Sequence, residues 1–257
     1  MYFIALVLTL RLYGKASSLR LADSFVLSHD LREYLRLAAV PLAQEQFGVV
    51  LLQSDAQHAL IRLRWAEHAD TPIAATLLQT LTAQSPLCLC QRRYEITSID
   101  LNNSPWTGVA TWTDFQSATP GPLIRLRFST PCVTAQPESG QEQGILPFPE
   151  PLPLFSSLSQ RWHALHGPAL PCEAEEAIRA SRCVLSAYRF HTSSVSAPGR
   201  KLKGYLGWME YECQRRDTAG VATLNALTRL AFFSGVGYGS HHGLGAALVT
   251  IAKGEER

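Results

Sequence analysis

Apolar and polar positions alternate along this chain with periods that name most of its elements. Tyr2, Ile4, Leu6, Leu8, Leu10 and Leu12 interleave with Phe3, Ala5, Val7 and Thr9, and Arg11 ends the apolar run. A run apolar on both sides predicts a strand buried on both faces. Ser28 is placed to cap a helix carrying His29, Leu31, Leu35 and Ala38, interrupted by Pro41. Strands are predicted over 49–53 and 59–66, with Ser54-Asp55 as the turn between them. Asp70 and Pro72 then open a helix through Leu77, Leu78 and Leu81, and 87–101 closes the set as an extended segment. The order is βαββαβ, the ferredoxin-like unit.

The second half repeats that order. Ile124, Leu126 and Phe128 face one side of a strand and Arg125 and Arg127 the other, with Pro131 ending it. A polar, proline-bearing stretch over 136–153 leads into an amphipathic helix over 154–162, and 167–176 reads as loop or short helix. Strands over 183–190 and 204–213 follow, then a helix marked by Val221, Leu224, Leu227 and Ala231. A glycine-rich loop and an apolar strand over 246–251 complete the unit. The expected class is α+β, with two ferredoxin-like domains in tandem over 1–105 and 106–257.

The glycine-rich loop carries the chemistry. Gly235, Gly237, Gly239, Gly243 and Gly245 fall within eleven residues. Glycine takes positive φ and leaves its amide bare, so such a loop can admit a phosphate to peptide N–H groups. It can equally be a tight connection between a packed helix and a strand. A dinucleotide fingerprint or a P-loop follows a strand and opens a helix, whereas this loop follows a helix and precedes a strand. That order disfavours a small-molecule enzyme using the loop to hold a nucleotide.

Composition narrows the classes further. The 257 residues, 46% hydrophobic, are ample for a packed core. A net charge of +2 is too small for a surface that binds nucleic acid everywhere, so any RNA site must be local. Of 23 Lys and Arg residues only Lys15, Lys201, Lys203 and Lys253 are lysines, leaving 23 − 4 = 19 arginines. That bias suits bidentate phosphate contacts and base stacking, and a GC-rich genome produces it as well. Cys88, Cys90, Cys132, Cys172, Cys183 and Cys213 lack metal-ligand spacing; Cys88 and Cys90 alternate along an expected strand, and scattered cysteines of this kind sit reduced in cytosolic cores. The opening run has no positive flank or cleavage site for a secretory signal and is too short to span a membrane, so a cytoplasmic location is expected.

Gly-x-Gly, five residues, Gly-x-Gly between a helix and a strand resembles the signature of the RAMP proteins of CRISPR systems. Within them it is most similar to the repeat-processing endoribonuclease, the sixth Cas family. Three further stretches carry the likeness: Phe128-Ser129-Thr130-Pro131, the helix ending in Arg161-Trp162, and Gly204-Tyr205-Leu206-Gly207-Trp208. The first half contributes its element order and one histidine. The resemblance implies a tandem ferredoxin-like fold and CRISPR RNA maturation without metal or cofactor: the ribose 2′-hydroxyl attacks the scissile phosphate within the repeat, leaving a 2′,3′-cyclic phosphate and a 5′-hydroxyl.

Such chemistry needs a proton-transfer group near neutral pKa and a cation for the developing charge. The family places its catalytic histidine at the start of the first helix, which points to His29, with Tyr13 and Lys15 as partners; an exposed histidine in a first helical turn is the plain alternative. His241 and His242 are the next candidates, for catalysis or for RNA contact. Arg189, Arg200, Lys201 and Lys203 lie in a stretch free of acids that reads as a basic hairpin loop, and in related proteins this hairpin grips the RNA stem. Arg125, Arg127, Gly235, Gly237, Gly239, Gly243 and Gly245 complete the expected RNA contacts. The expected partner is the repeat hairpin of precursor CRISPR RNA. Effector-complex subunits and a second copy of the chain are further candidates, and no membrane is expected. The rival reading is a non-catalytic RAMP subunit that holds CRISPR RNA without cutting it.

Overall fold

The computed structural model describes residues 1–14, 18–38, 40, 47–70, 72–83, 86–134, 148–197, 200–216 and 218–252, with Ala83 and Arg200 described by backbone alone. Contacts divide the chain into two compact units. The first comprises 1–110, 196–200 and 241–243; the second comprises 111–195, 201–240 and 244–257.

The first unit begins with β1 (Tyr2–Leu12), buried from Phe3 to Leu8 on both faces as its pattern requires. Next come α1 (Ser24–Leu37), β2 (Phe47–Ser54), β3 (His58–Glu67), α2 (Ala74–Ala83), β4 (Leu87–Leu89), β5 (Arg92–Asp100) and β6 (Gly108–Thr111). The antiparallel sheet runs β2-β3-β1-β5-β4, with β6 also paired to β1. Ile4, Leu6, Leu8 and Leu10 pack in one core with Leu27, Leu31 and Leu35 of α1 and Leu77 and Leu81 of α2.

Three local expectations are corrected here. Helix α1 starts at Ser24 with Asp23 as its N-cap, one turn before the expected cap, so Ser28 is a buried interior residue and His29 stands in the second turn. Asp70 does not cap α2. The buried Glu67 carboxylate instead accepts from the amides of Ile73 and Ala74 and from Trp65 Nε1, all at 2.9 Å. The 87–101 segment is a tight hairpin, because Cys90 and Gln91 both take positive φ and end the alternation that Cys88 begins.

The second unit contains α3 (Trp112–Ser117), β7 (Leu123–Cys132), α4 (Pro151–Ala164), α5 (Ala174–Ser181), β8 (Cys183–Ala197), β9 (Arg200–Cys213), α6 (Thr218–Ser234) and β10 (Ala247–Ala252). Its sheet runs β10-β7-β9-β8. Ile124, Leu126 and Phe128 are buried, as are Leu154, Phe155, Leu158 and Trp162 of α4 and Leu224, Leu227 and Leu230 of α6. Buried Asn225 accepts from Gly121 N at 2.7 Å and donates to its carbonyl at 3.0 Å, tying α6 to the segment entering β7. Pro131 does not stop β7, which continues to Cys132 through a register shift after Phe128. The expected basic loop over 189–203 is mostly strand, because β8 and β9 run on to 197 and back from 200. The polar stretch over 135–147 lies outside the described residues.

Both units therefore realise the tandem ferredoxin-like class: counted within each repeat, the four principal strands follow the same 2-3-1-4 order. The six cysteines are free thiols. Among the described residues no helix is long and apolar enough to cross a membrane.

Candidate nucleic-acid interface

Helix α1 packs Leu27, Leu31 and Leu35 into the core, while Phe25, buried Ser28, His29 and Arg32 occupy neighbouring positions of an adjoining face. The Ser28 hydroxyl donates to the His241 carbonyl at 3.2 Å. Arg32 donates to the same carbonyl at 3.0 Å and to that of Phe47 at 2.9 Å. Burial lowers the pKa of this guanidinium from its ordinary value. Residues 241–243 group with the first unit, so this cluster is a local assembly of α1, β2 and three loop residues.

The two loop histidines sit differently from His29. His242 packs on Phe25 with ring centroids 4.7 Å apart and on His241 at 4.1 Å. Burial, then the charges of Arg32 and His29, push its pKa down to about 4, so it is neutral at pH 7. Its Nδ1 is buried without a hydrogen-bond partner among the described residues. His29 is exposed on the same helix, and its charge reaches both His242 and Glu33. Of the three histidines His29 is the exposed one, and His241 and His242 are half-buried.

All five glycines of the loop have positive φ. The reason is packing within the chain: a Cβ on Gly237 would strike the Val133 carbonyl, and one on Gly245 the Val236 carbonyl. The loop also uses its own amides. Gly235 donates to Ala231 and Gly245 to Pro131, each at 2.9 Å, and Tyr238 donates to Val133 at 2.7 Å. The bare-amide reading is corrected at Gly235 and Gly245, whose N–H groups are already engaged.

The second sheet carries the other basic group. Arg125 and Arg127 project from β7 as exposed residues between the buried Ile124, Leu126 and Phe128. Arg125 is ion-paired to Glu210 at 2.7 Å and lies 5.1 Å from the centroid of the Trp208 ring. A cavity of about 740 Å³ opens here, lined by Arg125, Arg127, Arg189, Phe190, His191 and Trp208 among others. On β9, Lys201 and Lys203 are exposed around buried Leu202, and only the backbone of Arg200 is described.

The comparisons bear on this arrangement directly. The family model for CRISPR-associated endoribonuclease Cas6 matches residues 126–247. A product complex of Cas6 (TTHA0078), a Thermus protein, superposes with a TM-score of 0.76 at 24% identity, over 97% of this chain and 100% of that one. Residues 126–247 carry the Cas6 family pattern, and the chain shares the Cas6 fold over nearly its whole length. A histidine-to-alanine mutant of the same relative gives 0.75 at 25% identity, over 97% and 99% of the two chains. Thermus thermophilus Cas6 (TTHB231) gives 0.73 at 21% identity, over 96% and 98%. No curated protein matches the sequence.

Within this fold the expected site residues separate into groups. His29, His241 and His242 come together in the first unit, and Arg125, Arg127 and Arg189 share one cavity in the second. Tyr13 is exposed at the end of β1, its amide bonded to the Arg93 carbonyl at 2.9 Å, and among the described residues no hydrogen bond joins it to His29. Lys15 lies outside the described residues. Sequence reasoning missed Ser28 and Arg32, whose i, i+4 spacing on one helix was the available signal. It also missed Trp208, whose outward parity with Glu210 on β9 was legible.

Proposed function

We propose that the protein processes CRISPR RNA, binding the repeat hairpin of the precursor transcript and cutting it once. The ribose 2′-hydroxyl beside the scissile phosphate loses its proton to a base and attacks in line. The phosphorus bond to the 5′-oxygen breaks and that oxygen takes a proton, leaving a 2′,3′-cyclic phosphate and a 5′-hydroxyl. The atoms balance without water or an oxidant, and metal independence belongs to the same reading.

The observation that carries this reading is His29, exposed on α1 in a Cas6-family fold. It is the proton-transfer group, with Tyr13 and Lys15 as candidates for the complementary proton and for charge stabilisation. His242, neutral at pH 7, is not an imidazolium acid in that range, which favours His29 over His242 in that role. Arg125, Arg127, Arg189, Arg200, Lys201 and Lys203 supply phosphate contacts, because A-form RNA is held by its backbone and shape. His241, His242 and the glycine loop complete the RNA surface. The first domain, 1–105, carries the catalytic histidine; the second, 106–257, carries the hairpin and the glycine loop. A relative of the same fold solved as a product complex, and a histidine mutant of it, support the processing reading.

The test is His29→Ala, assayed on the repeat RNA of the protein's own CRISPR locus. Cleavage should fall by about two to four orders of magnitude while affinity stays near wild type. Normal cleavage by this variant would remove His29 from the mechanism. A wild-type protein that binds the repeat and never cuts it would be the non-catalytic relative.

A further inference from the structure

The cavity on the second sheet differs in kind from a surface that follows a duplex. A duplex presents phosphates and groove edges, and its base faces are stacked away. This cavity instead combines the Trp208 indole and Phe190 with Arg127, Arg189 and His191. Arg125 does not add free charge. It is ion-paired to Glu210 and lies over the indole, which fixes the wall that Trp208 presents. Arg127 and Arg189 are exposed, and no ion pair joins either to a carboxylate among the described residues. The volume, about 740 Å³, lies within the range of sites that enclose a small organic group. Aromatic walls with adjacent unneutralised guanidinium groups are the two elements of single-strand binding, one for the base face and one for the backbone.

We infer that this cavity holds an unpaired nucleotide of the RNA, its base against Trp208 and its flanking phosphates on Arg127 and Arg189. The inference rests on the RNA-binding part of the proposed function and not on cleavage. It divides RNA recognition into two modes, with base stacking confined to the second sheet. Single-stranded sequence flanking a hairpin is then a ligand in its own right.

Fluorescence anisotropy with three labelled probes tests this: a ten-residue oligouridylate, an abasic ten-mer with the same backbone, and a blunt RNA hairpin closed by a tetraloop. Trp208→Ala should weaken the oligouridylate roughly tenfold while leaving the abasic strand and the hairpin within twofold, and Trp208→Phe should keep most of the affinity. Arg127→Gln with Arg189→Gln should weaken the oligouridylate and the abasic strand alike, each lost contact lowering the salt slope by about 0.7. Unchanged oligouridylate binding by Trp208→Ala overturns the inference, as does an equal loss on all three probes with Trp208→Phe failing too. Uridine monophosphate that competes at its own concentration as well as the ten-mer does would make a free nucleotide the ligand and also overturn it. Cleavage of repeat RNA, scored separately, keeps the two readings apart. A protein that never cuts but shows the Trp208 pattern loses the processing role and keeps this pocket, and one that cuts without that pattern loses the pocket alone.

Discussion

His242 and His29 lie within one small cluster and differ in exposure, His242 half-buried and His29 open to solvent. Burial and two neighbouring cations hold His242 at a pKa of about 4, below the ordinary 6.5, so the folded protein resists protonating it. Between those values the unfolded chain binds the proton and the folded one does not. Stability from this group is therefore complete above about pH 6.5 and is lost as pH falls towards 4. The wild-type melting temperature should drop over that window, and His242→Phe, which keeps a ring against Phe25, should flatten the drop. An identical pH profile in the variant would show that His242 does not titrate as its surroundings require. His29 lies one residue beyond buried Ser28 and is exposed, and that exposure is what favours it in the proposed proton transfer.

The glycine loop and the β8–β9 ribbon each combine a packing role with a proposed binding role. At Gly245 an added Cβ meets the Val236 carbonyl, and the residue has φ +60°. Gly245→Val should therefore lower the melting temperature by several degrees, whatever it does to RNA; a variant as stable as wild type would show that the loop yields. On the ribbon, Lys201 and Lys203 flank buried Leu202 and face out. Lys201→Ala with Lys203→Ala should leave stability unchanged and reduce the salt dependence of repeat binding by about 0.7–0.9 per lost contact. An unaltered slope would place the RNA elsewhere.

Much of this was legible from local pattern: the double-sided burial of β1, the outward parity of Arg125 and Arg127, and positive φ at the loop glycines. What was not legible depended on distant partners. Ser28 reads as a cap until Asp23 is seen to start the helix a turn earlier, and Glu67 caps α2 from the end of the preceding strand. The amide of Gly245 looks bare in sequence because its acceptor, Pro131, belongs to the distant β7, whereas that of Gly235 closes the last turn of α6 on Ala231 by the ordinary i→i−4 bond.

At the scale of the whole molecule, each sheet repeats one strand order, and the two units carry different chemistry. The histidines that come together do so in the first, and the guanidinium and aromatic cavity lies in the second. A processing enzyme needs both, affinity to hold one phosphate in register and a proton-transfer group to act on it. The central claim is that the RNA supplies its own nucleophile and the protein supplies proton transfer and geometry. Its most direct test is to incubate the protein with the repeat RNA of its own locus in excess chelator, map both termini of the product, and repeat the reaction with a 2′-deoxy nucleotide on the 5′ side of the cut. The account predicts cleavage in chelator, a 2′,3′-cyclic phosphate and a 5′-hydroxyl, and an intact deoxy substrate. Cleavage of the deoxy RNA, or a 5′-phosphate product, would contradict it.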